Sequence, residues 1–337
     1  MIKNTSVTYQ CCYRVNYKGF LIIYSDWSSI KLKMTDERNF RSSYYEKVGF
    51  RSVEEKKSLE ILLKERPLDK AKLKQFCLRF TVPAIYRNLL WKIILGVIPV
   101  YTESHKFVTA QRKAEFEDLR RALYAIKTVD ETSKPHQLFL TMWILRSGRI
   151  SLDMNALLET PLLRAMTQLA ESVTQIIDAN LEPVDTFWVL GSFLDVVQKI
   201  HGDVSRLQEC TCSLLEREDP ELHKHLLKIG ALQFLPFETW FCSCFAGTIS
   251  DSSIPKIWDK IVAGSYKILP FVAVVTLTTL RRPLLRCEGI DYILDCINNI
   301  SEETAEMIVN KAIELWQQSG SALASISQIG VNSVQNT

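Results

Sequence analysis

The chain has 337 residues, 47% of them hydrophobic and 23% charged, with a formal charge of +3. This is ordinary globular usage, which excludes wholesale disorder, and the small interspersed charge excludes the dense basic footprint of a nucleic-acid binder. Only 12 glycines and 11 prolines occur, against typical usage of about 7% and 5%, so hairpins are few and helices joined by short loops are expected.

Residues 1–33 differ in character from the rest of the chain. They are rich in Tyr, Ser and Lys, carry one acid, Asp26, and show no helical period. They read as an atypical, disordered N-terminal extension, with Met34 the usual start. The alternative is a targeting role for the basic bias of Arg14, Lys18, Lys31 and Lys33. The apolar stretch Phe20 to Tyr24 is too short for the h-region of a signal peptide.

The first helix is signalled by Ser52 and Glu55 as a capping box and by the stripe Leu59, Leu62, Leu63 through about Glu65, with Pro67 as its stop. Asp69 can cap a second helix carrying Leu73, Phe76, Cys77 and Phe80. A third runs from Pro83 through Tyr86, Leu89, Leu90, Ile93 and Ile94 to Gly96. Residues 103–129 predict one long helix with Phe116, Leu119, Leu123 and Ile126 on one face. Lys106, Lys113, Arg120 and Lys127 recur every seven residues beside that face. This basic stripe reads as a solvated face, or as a surface for an acidic partner or an anionic membrane. A helix from Pro135 to Arg146 comes next, then an irregular stretch at Ser147-Gly148.

From Pro161 the face Leu162, Met166, Leu169, Val173, Ile176, Ile177 predicts a helix, and Pro183 opens another with Phe187, Leu190, Leu194 and Val197. Further helices are expected at 205–217, 220–229, 236–246, 254–263 and 267–280. The apolar run Ile268 to Leu280 is about 13 residues long and holds three threonines and Pro270. That is short of the roughly 18 a membrane span needs, so a buried core helix is expected and no transmembrane segment. The last helix opens after Ser301 with Glu302 and Glu303 in its first turn and turns Ile308, Val309, Ala312 and Trp316 inward. After Gly320 the Ser- and Gln-rich tail is expected to fray.

Motifs for nucleotide binding, serine hydrolysis or zinc proteolysis are absent from the sequence. Cys210-x-Cys212 and Cys242-x-Cys244, with His223 and His225 between them, invite a metal reading. Zinc pairs use a wider gap, and residues two apart on a helix point about 200° apart. The nine cysteines therefore read as packed, reduced thiols of an intracellular protein, with no metal and no cofactor implied.

Several segments nevertheless share an order. They are Arg87-x-x-x-Trp91, Asp185-x-Phe187-Trp188, Pro220-Glu221-Leu222 through His225-Leu226, Trp240-Phe241, Ile257-Trp258-Asp259-Lys260 and Gly264 through Leu269. In that order and spacing they resemble the TBC family, the helical domain of Rab GTPase-activating proteins. The resemblance implies an all-α fold with one large helical domain over 80–280. Helices at 34–79 pack on it, C-terminal helices are placed at 281–318, and a disordered tail occupies 319–337. Arg87, Trp91, Phe187, Trp188, Trp240, Trp258 and Asp259 read as structural signatures rather than catalytic groups. The run Arg38-Asn39-Phe40 through Tyr44 to Phe50 and Val53 to Lys64 is similar to one branch of the family, the third subunit of the hamartin–tuberin complex.

The resemblance also implies chemistry. The family supplies an arginine from Ile-x-x-Asp-x-x-Arg to stabilise phosphoryl charge and a glutamine from Tyr-x-Gln to position water; an arginine finger is worth about 10³–10⁵ in rate. Here the first motif is Leu140-x-x-Trp143-x-x-Arg146 and no Tyr-x-Gln lies between Ser147 and Val184. Arg146 is the sole, weak candidate finger, since its orienting aspartate is replaced. A non-catalytic subunit is expected. It would grip the hamartin coiled coil and so steady tuberin, which activates GTP hydrolysis on Rheb; the chain would thereby restrain target-of-rapamycin signalling. Such a chain is cytoplasmic, recruited to lysosomal or vesicle membranes through partners. The alternative is a Rab GTPase activator with degenerate fingers. Phe116, Leu119, Leu123 and Trp143 are candidates for a helix-in-groove partner contact, with core packing the competing reading.

Overall fold

Proline and glycine set the frame of the chain. Pro135, Pro161, Pro183, Pro220 and Pro255 each open a helix, where a missing N–H and a fixed φ cost nothing. Gly96 (φ 80°) and Gly148 (φ 60°) close the helices before them in the left-handed region. The computed structural model describes residues 53–148, 160–177, 182–287 and 289–329. All of these belong to one compact unit, 45–337. The expectations for residues 1–33, Met34, the run 38–50 and the cap Ser52 lie outside the described residues.

The fold is all-α. Among the described residues no strand forms; an isolated bridge joins Ala246 and Ile249. In chain order the helices are α1 Val53–Lys64, α2 Lys70–Arg79, α3 Ala84–Leu95, α4 His105–Ala125 and α5 Pro135–Ser147. Then come α6 Pro161–Ile177, α7 Pro183–Gly202, α8 Val204–Glu218, α9 Pro220–Lys228 and α10 Phe237–Cys242. The remaining helices are α11 Pro255–Val262, α12 Leu269–Thr279, α13 Arg281–Leu284, α14 Ile290–Asn298 and α15 Glu302–Ile329.

At the centre is α12, buried from Leu269 through Leu277 and packed against α8 and α15. Its uniform apolarity thus reflects burial on all sides. Among the described residues no helix is long and apolar enough to cross a membrane. Asp69 caps α2 as expected, its carboxylate accepting from the Ala71 and Lys72 amides at 2.9 and 3.0 Å.

Four expectations need correction. The segment 103–129 is not one helix: a 3₁₀ turn, Thr102–Ser104, precedes α4, which ends at Ala125. Lys127 then takes φ 57°, so Ile126 leaves the inward stripe and stands 53% exposed. The helix expected at 236–246 stops at Cys242, because Cys244 and Phe245 take positive φ (51° and 63°). In α15, helical backbone continues past Gly320 to Ile329.

Candidate functional site

Two clusters contain the residues that the motifs single out. The first lies where α2, α3 and α11 meet. Arg87 and Trp91, four apart on α3, present their side chains on one face and both reach Asp259 of α11. Arg87 Nε donates to Asp259 Oδ1 at 3.0 Å and Nη2 to Oδ2 at 3.2 Å, while Trp91 Nε1 donates to Oδ1 at 2.9 Å. Arg87 Nη2 also donates to the Val82 carbonyl at 2.7 Å. Asp259 is wholly buried. Burial pushes its carboxyl above the ordinary carboxylate value, opposed by the charge and donors of Arg87 and by the Trp91 N–H.

The next residue, buried Lys260, donates to the Cys77 and Phe80 carbonyls at 2.6 Å each, satisfying the end of α2 with a cation where the helix dipole favours one. Trp258 donates to the Cys244 carbonyl at 3.0 Å and packs with Trp91 and Phe193. Trp240 stacks on Phe245 at 5.4 Å. The Asp259 carboxylate, the Lys260 ammonium and the Trp91 and Trp258 indole N–H groups all find partners within the protein, so the cluster ties α2, α3 and α11 together.

The second cluster lies between α4, α5 and α7. Arg146, at the end of α5, donates from Nε to Glu115 Oε1 of α4 at 2.8 Å. Its guanidinium carbon lies 4.8 Å from the ring centroid of Trp188 on α7, and that of Arg112 lies 4.3 Å from the same ring. Trp188 donates from its indole N–H to the Arg112 carbonyl at 3.2 Å, while Arg112 donates to the Val97 and Gly96 carbonyls at 2.7 and 2.9 Å. Burial lowers the Arg112 pKa; Glu115 opposes this, and Arg146 adds to it.

Trp143, one turn before Arg146, points inward and is 1% exposed. A Cβ built on Gly191 of α7 would stand 3.3 Å from Trp143 Cδ1, so the indole packs closely over the glycine and a side chain there would have to shift it by a few tenths of an ångström. Its Nε1 is buried without a partner among the described residues. Together these residues line a cleft of about 170 Å³ that also includes Leu95, Ser192 and Asp195.

Gln168 and Gln175 do not reach this cleft. They line a separate groove of about 370 Å³ against the turn Gly247 to Asp251. Of the partner-contact candidates, Phe116, Leu123 and Trp143 are buried, as the competing core-packing reading expects, and Leu119 packs half-buried on the core. Phe116 meets Phe187 at 5.6 Å and Phe139 at 6.1 Å. Lys106, Lys113, Arg120 and Lys127 are exposed, and Arg120 pairs with Glu117 at 2.8 Å.

Sequence reasoning missed Glu115 and Arg112. Glu115 lies 31 residues from Arg146, and nothing local distinguishes it from the other acids of α4. The Cys242 thiol is pushed up to about 12 by burial and by the Glu238 charge, and burial raises Cys244 as well. Among the described residues no group of His, Cys, Asp and Glu is arranged to hold a metal ion.

The Rab-GTPase-TBC domain family matches residues 153–285. The chain is 39% identical to TBC1 domain family member 7 of Bos taurus over 283 residues, covering 84% of this chain and 95% of that protein. It belongs to the TBC domain family. The Homo sapiens member 7 is 38% identical over the same shares. Among solved structures, the Ypt/Rab-GAP domain of Gyp1p aligns with a TM-score of 0.55 at 18% identity, over 79% of this chain and 98% of that one. The Chlamydomonas flagellar RabGAP TBC domain aligns with a TM-score of 0.54 at 16% identity, over 86% and 98%. These two likenesses concern the fold. The family match begins after Arg87 and Trp91, yet both side chains bond Asp259 inside the matched segment, so the TBC fold here draws on the helices before it.

Proposed function

We propose that this chain is a non-catalytic TBC-domain subunit that steadies the hamartin–tuberin GTPase-activating complex acting on Rheb, and thereby restrains target-of-rapamycin signalling. One observation carries the reading: where the family's arginine motif holds an aspartate, Trp143 sits buried against Gly191. A finger gains its value from being preorganised and free to enter a neighbour's active site. Arg146 instead rests on Glu115 and on the face of Trp188. The absence of Tyr-x-Gln between Ser147 and Val184 removes the group that would orient water. The lock around Asp259 supports a scaffold role, and the likeness to TBC1 domain family member 7 supports the choice of complex.

The second reading, a Rab GTPase activator with degenerate fingers, draws support from Glu115, whose carboxylate can orient Arg146 from a different helix. Two measurements separate them. Single-turnover GTP hydrolysis over a Rab panel is expected to show no acceleration by the chain and no change on Arg146→Ala. A purified hamartin coiled-coil fragment is expected to co-elute with the chain. A tenfold or larger rate loss on Arg146→Ala with any Rab would establish the activator instead.

A further inference from the structure

The groove of about 370 Å³ beside α6 is lined from that helix by Gln168, Glu171, Ser172 and Gln175. These positions lie three, four and seven apart and so share one helix face. The turn opposite contributes Asp251, and the end of α14 contributes Asn298. The turn is held on both sides of Asp251. The Thr248 and Ile249 amides donate to the Phe245 carbonyl at 3.1 and 3.0 Å, and the Ser253 and Ile254 amides to the Ser250 carbonyl at 3.0 Å each. Ser252 Oγ donates to Glu302 of α15 at 2.7 Å.

Two observations point to a ligand. The first is a buried hydroxyl without a partner. Thr167 and Thr174 of α6 donate to the carbonyls four residues back at 2.9 and 2.7 Å, the usual outlet for a hydroxyl inside a helix. Ser172 is 6% exposed, yet its hydroxyl makes no such bond and has no partner among the described residues. Leaving it so costs free energy, and the space open to it is the groove. The second observation is charge. Among the described residues no lysine, arginine or histidine lines the groove, although the whole chain carries +3. The Glu171 and Asp251 side chains form no ion pair or hydrogen bond among the described residues. Burial holds His136 below its ordinary value against the pull of Glu171, so that ring, neutral at pH 7, leaves the Glu171 charge unmatched.

We propose that this groove docks an extended, arginine-bearing segment of a protein partner. The planar guanidinium fork carries five N–H donors and no acceptor, which matches two carboxylates and a hydroxyl oxygen. A metal ion fits poorly, because among the described residues no group of acids is arranged to hold one. The carboxamides favour a peptide over a free amino acid. Gln168 and Gln175 are two helical turns apart, about 10 Å, the reach of about three extended residues. Each carboxamide can donate to a main-chain carbonyl and accept from a main-chain amide, as can Asn298.

The test uses the full chain and a fluorescein-labelled peptide of five residues in which arginine and glycine alternate. Fluorescence anisotropy is expected to show saturable binding. The same peptide with citrulline in place of arginine keeps the shape, loses the charge, and is expected not to bind. Glu171→Gln and Asp251→Asn are each expected to weaken binding about three- to tenfold, and the double variant to abolish it. Ser172→Ala is expected to weaken it less, and Glu314→Gln, which removes an acid of α15 outside the groove, to leave it unchanged. Absence of saturable binding, equal binding of the citrulline peptide, or undiminished binding to the double variant overturns the proposal.

Discussion

The cluster around Asp259 and the cleft around Arg146 lie on the same scaffold and differ in what their arginines do. Arg87 meets a fully buried carboxylate that also accepts from Trp91, so removing Arg87 strands that carboxylate in the interior and removing Trp91 takes away one of its donors. Arg146 meets a half-exposed Glu115 and an indole face, and water can replace either contact. The first arrangement holds helices together. The second rests an arginine on the surface, beside a core into which Trp143 has been drawn.

Four experiments sharpen or break this contrast. The largest effect is expected from Trp143→Asp, which restores the family's residue type. Loss of a buried tryptophan costs about 3–5 kcal/mol by truncation alone, and a carboxylate stranded in its place adds to that. Urea unfolding should show the loss, and GTP hydrolysis should show no gain; recovered activity with unimpaired stability would mean that Trp143 is a plug rather than a core residue. Next is Asp259→Ala, expected to cost about 3–5 kcal/mol because it leaves the part-buried Arg87 guanidinium and the buried Trp91 N–H without their acceptor. A midpoint close to wild type would show that the lock does not hold the helices.

Glu115→Gln is expected to cost only about 0.2–1 kcal/mol, and the loss should shrink as salt is added, since both side chains of the pair are over 40% exposed (Arg146 42%, Glu115 48%). A large, salt-independent loss would put the two clusters on an equal footing. The smallest effect concerns Asp69. Its pKa is lowered chiefly by the Lys72 backbone amide, with the Ala71 amide and the Lys72 charge adding to it. A depressed folded-state pKa makes the cap's contribution present above the ordinary value of 3.8 and lost as pH falls through the lowered one. Asp69→Asn should flatten the acid limb of thermal stability in that window, and an unchanged limb would remove Asp69 from the account.

The sequence alone determined the class and the punctuation. Helical periodicity, prolines at first turns, Asp69 and Gly96 act over a few residues, so they can be read locally and reappear in α2, α3, α5 and α7. The missing aspartate and glutamine were legible too, because a motif is a local pattern. Where backbone conformation turned on packing, as at Cys244 and Phe245, no local signal marked the break and the expected helix ran too long. Only the tertiary structure decided which apolar faces were buried, so Phe116, Leu123 and Trp143 moved from candidate contacts to core. It alone paired Arg87 with Asp259 across 172 positions and Arg146 with Glu115 across 31. Such pairings depend on how helices cross, and crossing is set by the summed fit of many side chains rather than by any residue's neighbours along the chain.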